Sequence, residues 1–366
     1  MNSWRLFELH VQFTSKVQLK VIDGIGDDEI NDYVSACPNS LIYSCPSFIE
    51  LISGHLDASP GWIIAKDETG ILGALPFAQS EVGEFGTVFN SLPYYGSNGG
   101  VLQCISNTKI KELMINGYFD YAQSQNACSA SITTNPLQMD HEIYENTIDG
   151  FIKDERIGQI THLPENPDDE LIKIFEDPRP RNIRRAQKEG IKVSSGNERS
   201  SVEFLYKVHV ENMQAIGGLH KSWDFFEKLL SDMPSNMWSV YIGSKGGEPV
   251  SALLLFYFNG TVEYFTPVVK SGYRNTQALA LIIFEAMKDM VKMKGCKNWN
   301  WGGTWLSQKG VYDFKKRWGT IDYLYYYYTK LFNENIRSSS KEALLENYPG
   351  FFVLPFSELE EIGNRK

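Results

Sequence analysis

The sequence predicts a mixed α/β fold that is duplicated, because one order of secondary structure occurs twice along the chain. The first copy consists of three strands, a helix and a fourth strand, at residues 62–66, 71–79, 85–92, 110–122 and 128–134. The second copy repeats that order at residues 238–243, 249–258, 261–269, 278–294 and 297–301. We therefore predict that residues 62–134 and 238–301 are two copies of one unit, each with its helix packed on its own sheet.

Turn signals, helical periodicity and a helix-ending glycine predict the individual strands and helices. The polar stretch Asp67–Gly70 separates the first two strands, and Asn259-Gly260 is a strong signal for a tight hairpin turn. Apolar residues recur at helical spacing from Ile110 to Ala122 and again from Leu281 to Val291. Gly295 follows the second of these helices, at the position where glycine commonly ends a helix.

Length and charge restrict the classes of protein. A chain of 366 residues is too long for one ordinary core, and we divide it into domains at 1–155 and 156–366. Its 42% hydrophobic and 22% charged residues are typical of a packed globular protein. The formal net charge of -10 excludes a basic surface on all sides for nucleic acid, although a local basic patch is compatible with it.

The cysteines and histidines give no sign of a metal site. The five cysteines are scattered without a C-x-x-C pair, and the histidines lack metal-ligand spacing. The first 20 residues lack the apolar core of a signal peptide, and no apolar run is long enough to cross a bilayer. We expect a cytoplasmic protein with no integral membrane segment, which leaves contact with the inner membrane surface open.

A basic stretch lies between the two copies. On a helix, Arg181, Arg184, Arg185 and Lys188 would share one face, and such a face can hold a diphosphate, a nucleotide-sugar headgroup or an RNA backbone. The alternative is an ordinary solvated charged face. In an acidic protein the cluster stands out, and we predict that the three arginines line a cleft and bind a phosphorylated acceptor.

Lys315 is the main candidate for catalysis. It lies in the segment Tyr312–Gly319, and if that segment is extended, Asp313, Lys315 and Arg317 point to one side and Tyr312 to the other. An ammonium group at that position could offset the charge of a tetrahedral oxyanion. The alternative is a solvated lysine on a basic surface turn.

Four further places carry candidate site residues. Glu263 lies between apolar neighbours in a strand, so it could be a base of raised pKa, or it could point to solvent. The other candidates for substrate contact are Tyr264 beside it, Asn300, Gly303 and Thr304 at the end of the last strand, Tyr312, and the loop tyrosines Tyr94 and Tyr95. Paired glycines would let a ligand approach the backbone closely, whereas a plain turn is the alternative.

Three motifs in order resemble the Fem-type peptidyltransferase family. They are the basic segment PRPRNIRRAQKEGIKV, the strand–loop–helix–strand segment from Tyr264 to Thr304, and GVYDFKKRWG, and the loop SLPYYGSNGG also fits. The resemblance implies two tandem GNAT-like domains and transfer of an acyl or aminoacyl group to an amine of a cell-envelope precursor. It also implies that Lys315 faces the reaction cavity and that Arg181 and Arg184 meet the phosphates of a glycan precursor.

The donor stays open. Acetyl-CoA enzymes of this fold hold the pyrophosphate on a loop of the form Arg-x-x-Gly-x-Gly, and the matching stretch Arg274–Leu279 has neither glycine. We expect no tightly bound cofactor and no metal, with aminoacyl-tRNA or acyl-CoA as the cosubstrate. The rival readings are an N-acyltransferase of an amino sugar that uses acyl-CoA or a carrier protein, and a non-catalytic binding protein of the same fold.

Overall fold

The computed structural model describes residues 5–7, 17–94, 99–305 and 307–359. The chain divides into two compact units, one formed by Met1–Arg156 with Leu324–Lys366 and the other by Ile157–Tyr323. The predicted boundary lies after residue 155, one residue before the end of the first of these segments. The predicted assignment of 324–366 to the second domain is wrong, because residues 327–331 pair with a strand of the first unit.

The strands of the first unit are β1 (Arg5–Phe7), β2 (Gln18–Asp23), β3 (Ser59–Asp67), β4 (Gly70–Gln79), β5 (Thr87–Asn90), β6 (Ala127–Thr133) and the end of β13 (Thr320–Leu331). Their order in the sheet is β1-β2-β3-β4-β5-β6-β13. Neighbours are antiparallel except β5 and β6, which are parallel and are joined by a crossover helix.

The helices of the first unit are α1 (Asp28–Ala36), α2 (Pro46–Leu56), α3 (Thr108–Ser124), α4 (His141–Thr147) and α11 (Lys341–Asn347), with 3₁₀ turns at Ile42–Ser44, Glu334–Ser338 and Phe356–Glu358. α3 is the crossover helix, and its apolar face packs on the sheet through Met114, Tyr118 and Ala122, all fully buried. The other face of the sheet is covered partly by the C-terminal residues Ile336, Leu344 and their neighbours. Each fully buried large apolar side chain of this kind stabilises the fold by about 1.5–3 kcal/mol.

The strands of the second unit are the end of β7 (Ile152–His162), β8 (Lys192–Gly196), β9 (Trp238–Lys245), β10 (Glu248–Phe258), β11 (Thr261–Val269), β12 (Asn298–Thr304) and the start of β13. The order in its sheet is β7-β12-β11-β10-β9-β8. β11 and β12 are parallel, and the other neighbours are antiparallel. The hairpin of β10 and β11 turns at Asn259 and Gly260, both at positive φ, as the sequence predicts.

The helices of the second unit are α5 (Pro167–Glu170), α6 (Arg179–Lys188), α7 (Arg199–Gln214), α8 (Trp223–Asp232), α9 (Ala278–Lys294) and α10 (Lys309–Lys316), with 3₁₀ turns at Leu171–Lys173 and Ser271–Thr276. α9 is the crossover helix between β11 and β12, and it has the predicted bounds. It ends at Gly295, whose φ of 63° is left-handed, so glycine is favoured there. β9-β10-β11-α9-β12 and β3-β4-β5-α3-β6 therefore have the same connections and strand directions, as predicted.

Candidate functional site

The parallel strands of the second unit separate before they end. β11 and β12 are paired only over Thr261–Glu263 and Asn298–Asn300, although β11 continues to Val269 and β12 to Thr304. All residues of this stretch are described. Backbone groups of β12 beyond Asn300 are therefore not committed to β11, and they can turn to other partners.

A bulge in β12 gives the strand end its shape. On its other side β12 pairs with β7, and the register shifts between Asn300 and Gly303. Within the bulge Gly302 has a φ of 72°, which a side chain disfavours, and the Asn300 side chain accepts a hydrogen bond from the Gly302 N–H at 2.9 Å. Bulges commonly re-aim groups beside active sites, and here the re-aimed groups are two carbonyls.

Lys315 approaches this bulge from a helix. An extended segment would alternate its side chains, but residues Lys309–Lys316 form α10. The helix ends at Lys316, and the chain then turns at Gly319, which has a φ of 74° and whose N–H donates to the Lys316 carbonyl. Alternation therefore does not apply: Lys315 is 7% exposed, while its neighbours Lys316 and Arg317 are exposed. Because Lys315 is buried, the alternative in which it is solvated on a surface turn is wrong.

The Lys315 ammonium has three acceptors at the end of β12. It donates to the carbonyls of Gly302 and Gly303 at 3.1 and 3.0 Å, and to the Thr304 hydroxyl at 2.8 Å. All three acceptors are neutral. Burial lowers the pKa of Lys315 from 10.5 to about 8, because a charged amine loses hydration in the interior. The amine is thus mostly protonated at neutral pH, yet close to its titration.

Aromatic rings and a buried arginine lie beside Lys315. Tyr264 of β11 and Trp301 of β12 meet at 4.8 Å between ring centroids, and Trp301 stacks on Trp318 at 5.6 Å. The Arg179 guanidinium lies 4.3 Å from the centroid of Phe314, and its Nη2 donates to the Phe314 carbonyl at 2.9 Å. Burial, with repulsion from a nearby arginine, lowers the pKa of Arg179 to about 10, so it stays charged at neutral pH.

Of the predicted site residues, Gly303 and Thr304 contact Lys315 directly. Asn300 supports the bulge through its hydrogen bond with Gly302. The Tyr312 carbonyl accepts a hydrogen bond from Gln159 Nε2 at 3.2 Å, and the Tyr312 hydroxyl donates to Asp322 at 2.6 Å. Glu263 is 1% exposed and pairs in register with Asn300, so the alternative in which it points to solvent is wrong.

The basic helix forms as predicted, but its arginines have two different environments. Arg181, Arg184 and Arg185 are exposed on α6, whereas Arg179, at the start of the same helix, is buried. Whether the three exposed arginines line a cleft stays a prediction. Arg179 was missed because helical spacing groups the other arginines and gives no indication of which residue meets Phe314.

The first-unit tyrosines belong to a separate place. Tyr94 has a φ of 73°, its N–H donates to the Gly350 carbonyl at 2.8 Å, and its ring meets His55 at 5.1 Å. Tyr95 lies outside the described residues. The substrate contacts expected of Tyr94 and Tyr95 therefore stay predictions.

Sequence reasoning also missed Gln159 and Lys221. Gln159 is fully buried and accepts a hydrogen bond from the Thr304 hydroxyl at 3.2 Å. The Lys221 ammonium lies 5.0 Å from the centroid of Phe265, and burial lowers its pKa to about 8. Neither has a local signal in the sequence, since both depend on distant strands.

Residues 179–316 match the family described as an acetyltransferase (GNAT) domain. A crystal structure of FemX superposes with a TM-score of 0.66 at 14% identity, over 84% of this chain and 96% of that one. The chain shares the fold of FemX. A tandem GNAT protein from the clavulanic acid biosynthesis pathway follows with a TM-score of 0.53, at 10% identity over 86% and 98% of the two chains.

L-PGS from Bacillus licheniformis has a TM-score of 0.52 at 12% identity, over 88% of this chain and 96% of that one. No curated protein matches the sequence. These likenesses confirm the predicted tandem GNAT-like fold and its resemblance to the fold of FemX, and Lys315 lies within the residues that match the GNAT domain. Among the described residues, no helix is both long and apolar enough to cross a bilayer.

Proposed function

We propose that this protein transfers an acyl or aminoacyl group to an amine of a cell-envelope precursor, either a peptidoglycan precursor or a surface polysaccharide sugar. The observation that carries the proposal is the buried Lys315 ammonium, held by neutral acceptors at the separated end of β12 within a GNAT-type domain. A cation that is held by neutral acceptors is available to a developing anion.

The chemistry follows from the charge of Lys315. The neutral amine of the acceptor attacks the carbonyl of the donor, and negative charge grows on the carbonyl oxygen. Lys315 offsets that charge, the donor's thiolate or ribose oxygen leaves, and the attacking nitrogen releases its proton. Glu263 is proposed as the base that accepts this proton, because it is a buried carboxylate level with Asn300 on the neighbouring strand.

We propose direct attack, without an acyl-enzyme. A thiol nucleophile acts as the thiolate, and burial raises the pKa of Cys45, Cys128 and Cys296, the last to about 11. These thiols stay protonated at neutral pH. They are therefore poor candidates for a covalent intermediate.

The exposed face of α6 is proposed to hold the phosphates of the acceptor. Arg181, Arg184 and Arg185 place three guanidinium groups on one helix of a protein whose net charge is -10. Arginine binds phosphate oxygens through paired N–H donors, which suits a nucleotide-linked sugar. Tyr264 and Tyr312 are proposed to contact the acyl acceptor near Lys315. With such substrates, a cytoplasmic location at the inner membrane surface is part of the proposal.

For the donor, we favour aminoacyl-tRNA over acyl-CoA. Gln277 stands at the start of α9 in the left-handed region, φ 59°, and its side chain donates back to the Arg274 carbonyl. Acetyl-CoA enzymes need small residues here so that the pyrophosphate can approach the backbone. The second candidate, an acyl-CoA-dependent N-acyltransferase of an amino sugar, is favoured by the GNAT family match and by the tandem GNAT neighbour.

The test offers both donors to the purified protein. A pool of charged tRNA and a set of acyl-CoA esters are each mixed with a nucleotide-linked muropeptide and with amino-sugar nucleotides, and products are identified by mass spectrometry. The proposal expects an amide product from the wild type with one donor class and almost none from Lys315→Met. A product of equal yield from both proteins would contradict the role of Lys315, and no product with any pair would favour a binding protein.

A further inference from the structure

A chain of buried side chains connects Lys315 to the carbonyl of a residue on its own helix. The Lys315 ammonium donates to the Thr304 hydroxyl at 2.8 Å, and that hydroxyl donates to Gln159 Oε1 at 3.2 Å. Gln159 Nε2 in turn donates to the Tyr312 carbonyl at 3.2 Å and to the Thr320 hydroxyl at 3.4 Å. Thr304 and Gln159 are both fully buried.

The direction of every bond in this chain is fixed by its last member. The Tyr312 carbonyl can only accept, so the amide nitrogen of Gln159 must face it and the amide oxygen must face Thr304. The Thr304 hydroxyl therefore donates its only hydrogen to Gln159, and its lone pairs accept the hydrogen bond from Lys315. Since Tyr312 and Lys315 lie on the same helix, the loop of bonds closes through α10.

This arrangement holds the ammonium in a fixed place through neutral acceptors. An ammonium has three N–H donors, and here each can meet a neutral acceptor at the end of β12. A growing oxyanion can displace a neutral acceptor, because a charge-assisted hydrogen bond is roughly twice as strong as a neutral one. A carboxylate in place of Thr304 would resist that exchange.

We propose that Thr304 and Gln159 are positioning residues that hold the Lys315 ammonium at the separated end of β12, ready to meet the oxyanion. The catalytic consequence rests on the proposed function, whereas the positioning itself can be tested without any substrate. Neither residue is proposed to touch the reacting atoms.

The substrate-free test measures the pKa of Lys315 by NMR in protein carrying ¹³C-labelled lysine, with the signal assigned by its loss in Lys315→Met. Thr304→Val removes one acceptor of the charged form, and the pKa of Lys315 is expected to fall below about 8 by roughly 1 pH unit. Thr304→Ser keeps the hydroxyl and restores the wild-type value. Gln159→Met, which acts through Thr304, gives a smaller fall.

The matched control is Thr329→Val in the first unit. Thr329 is also fully buried and its hydroxyl bonds to Ser131 at 2.8 Å, so the control loses a comparable hydroxyl bond. It should leave the Lys315 signal unchanged. If Thr304→Val titrates Lys315 like the wild type and like Thr329→Val, the proposal is overturned; should Thr304→Val fail to fold, Gln159→Met decides in the same way.

The kinetic arm separates this proposal from the proposed function. With a working assay, Thr304→Val should lower kcat roughly 10-fold with little change in KM, shift the pH profile by the NMR-measured amount, and be rescued by serine. A shifted pKa in a protein without transferase activity would support the positioning and refute the function. A Lys315-dependent activity with an unshifted pKa in Thr304→Val would refute the positioning and support the function.

Discussion

The two units have the same order of strands and crossover helix, and they differ where their parallel strands end. In the first unit β5 pairs with β6 over its whole length, and the next residue, Ser91, stays attached through hydrogen bonds with Ser131 and Thr133. In the second unit β11 and β12 pair over three residues each and then separate. The same order of elements therefore leaves backbone carbonyls available in one unit and closes the corresponding strand end in the other.

The chain's own C-terminal segment helps to close the first unit. The Asn90 side chain, at the end of β5, exchanges two hydrogen bonds with the backbone of Phe352, at 2.8 and 2.7 Å. The Ser129 hydroxyl of β6 donates to the Val353 carbonyl. The Asn90 side chain at this strand end is thereby satisfied within the protein, so it is not left to meet a substrate.

Lys111 of the first unit and Lys315 of the second are both buried, and their partners differ. Lys111 on α3 is 4% exposed and forms an ion pair with Asp140. Lys315 is 7% exposed, and the acceptors that it meets at β12 are neutral. A carboxylate neutralises a buried ammonium permanently, whereas neutral acceptors leave its charge for another anion. The comparison marks Lys111 as structural and supports the proposal that Lys315 is functional.

The largest effect is expected on stability at Lys111. Lys111→Met leaves the largely buried Asp140 carboxylate without its partner, which typically costs about 3–5 kcal/mol of unfolding free energy. The double variant Lys111→Met with Asp140→Leu should recover most of that loss, because a buried ion pair can be replaced by apolar residues at little cost. Chemical denaturation measures both; equal stability of the single and double variants would contradict a structural ion pair.

Lys315→Met should instead act on turnover. Losing one donor to an oxyanion typically lowers kcat by on the order of 100- to 1000-fold. The affinity for the acceptor should stay nearly intact, because the lost interaction belongs to the transition state. Steady-state kinetics and acceptor titration measure the two quantities; weakened affinity with unchanged turnover would make Lys315 a phosphate clamp.

The lowered pKa of Lys315 should make the unfolding free energy depend on pH. Burial lowers its pKa from 10.5 in the unfolded chain to about 8 in the folded protein. Between these values the unfolded chain binds a proton that the folded protein does not, so the wild type gains stability as pH rises through this window. The unfolding free energy of the wild type minus that of Lys315→Met should increase by about 3 kcal/mol from pH 8 to 10.5. A difference in unfolding free energy that does not change with pH would contradict a lowered pKa of Lys315.

The smallest effect is expected on the exposed face of α6. Arg184→Glu should weaken binding of a phosphorylated acceptor by about 1.5–3 kcal/mol, the worth of a hydrogen bond to a charged group. Arg199→Glu is the matched control, because Arg199 is an exposed arginine on α7 of the same unit. Isothermal titration compares them. Equal losses in both variants would show that only the overall charge matters.

Local patterns were enough to predict most of the fold. The bounds of α9, the hairpin turn at Asn259-Gly260 and the repeated order of strands all follow from periodicity and turn chemistry, which act over a few residues. The return of β13 to the first unit could not be predicted in this way. Its partner β6 lies nearly 200 residues earlier in the chain, and the alternating tyrosines of β13 do not specify a partner.

The candidate site was predictable in part. Lys315, Gly303 and Thr304 come from two short motifs, and the structure brings them together. The helical form of α10 was missed because a short segment of mixed polar and apolar residues fits the repeat of a helix and that of a strand equally well. Gln159 was missed because its role depends on the pairing of β7 with β12, which puts it beside Thr304 across 145 positions of sequence.

The pH dependence of kcat, measured at saturating donor and acceptor, tests the central claim most directly. If the Lys315 ammonium stabilises the oxyanion, kcat should fall as pH rises through about 8, where that ammonium loses its proton. The fall should be absent from the residual activity of Lys315→Met. A kcat that rises through pH 8 in the wild type, or an alkaline fall that persists in Lys315→Met, would contradict the account.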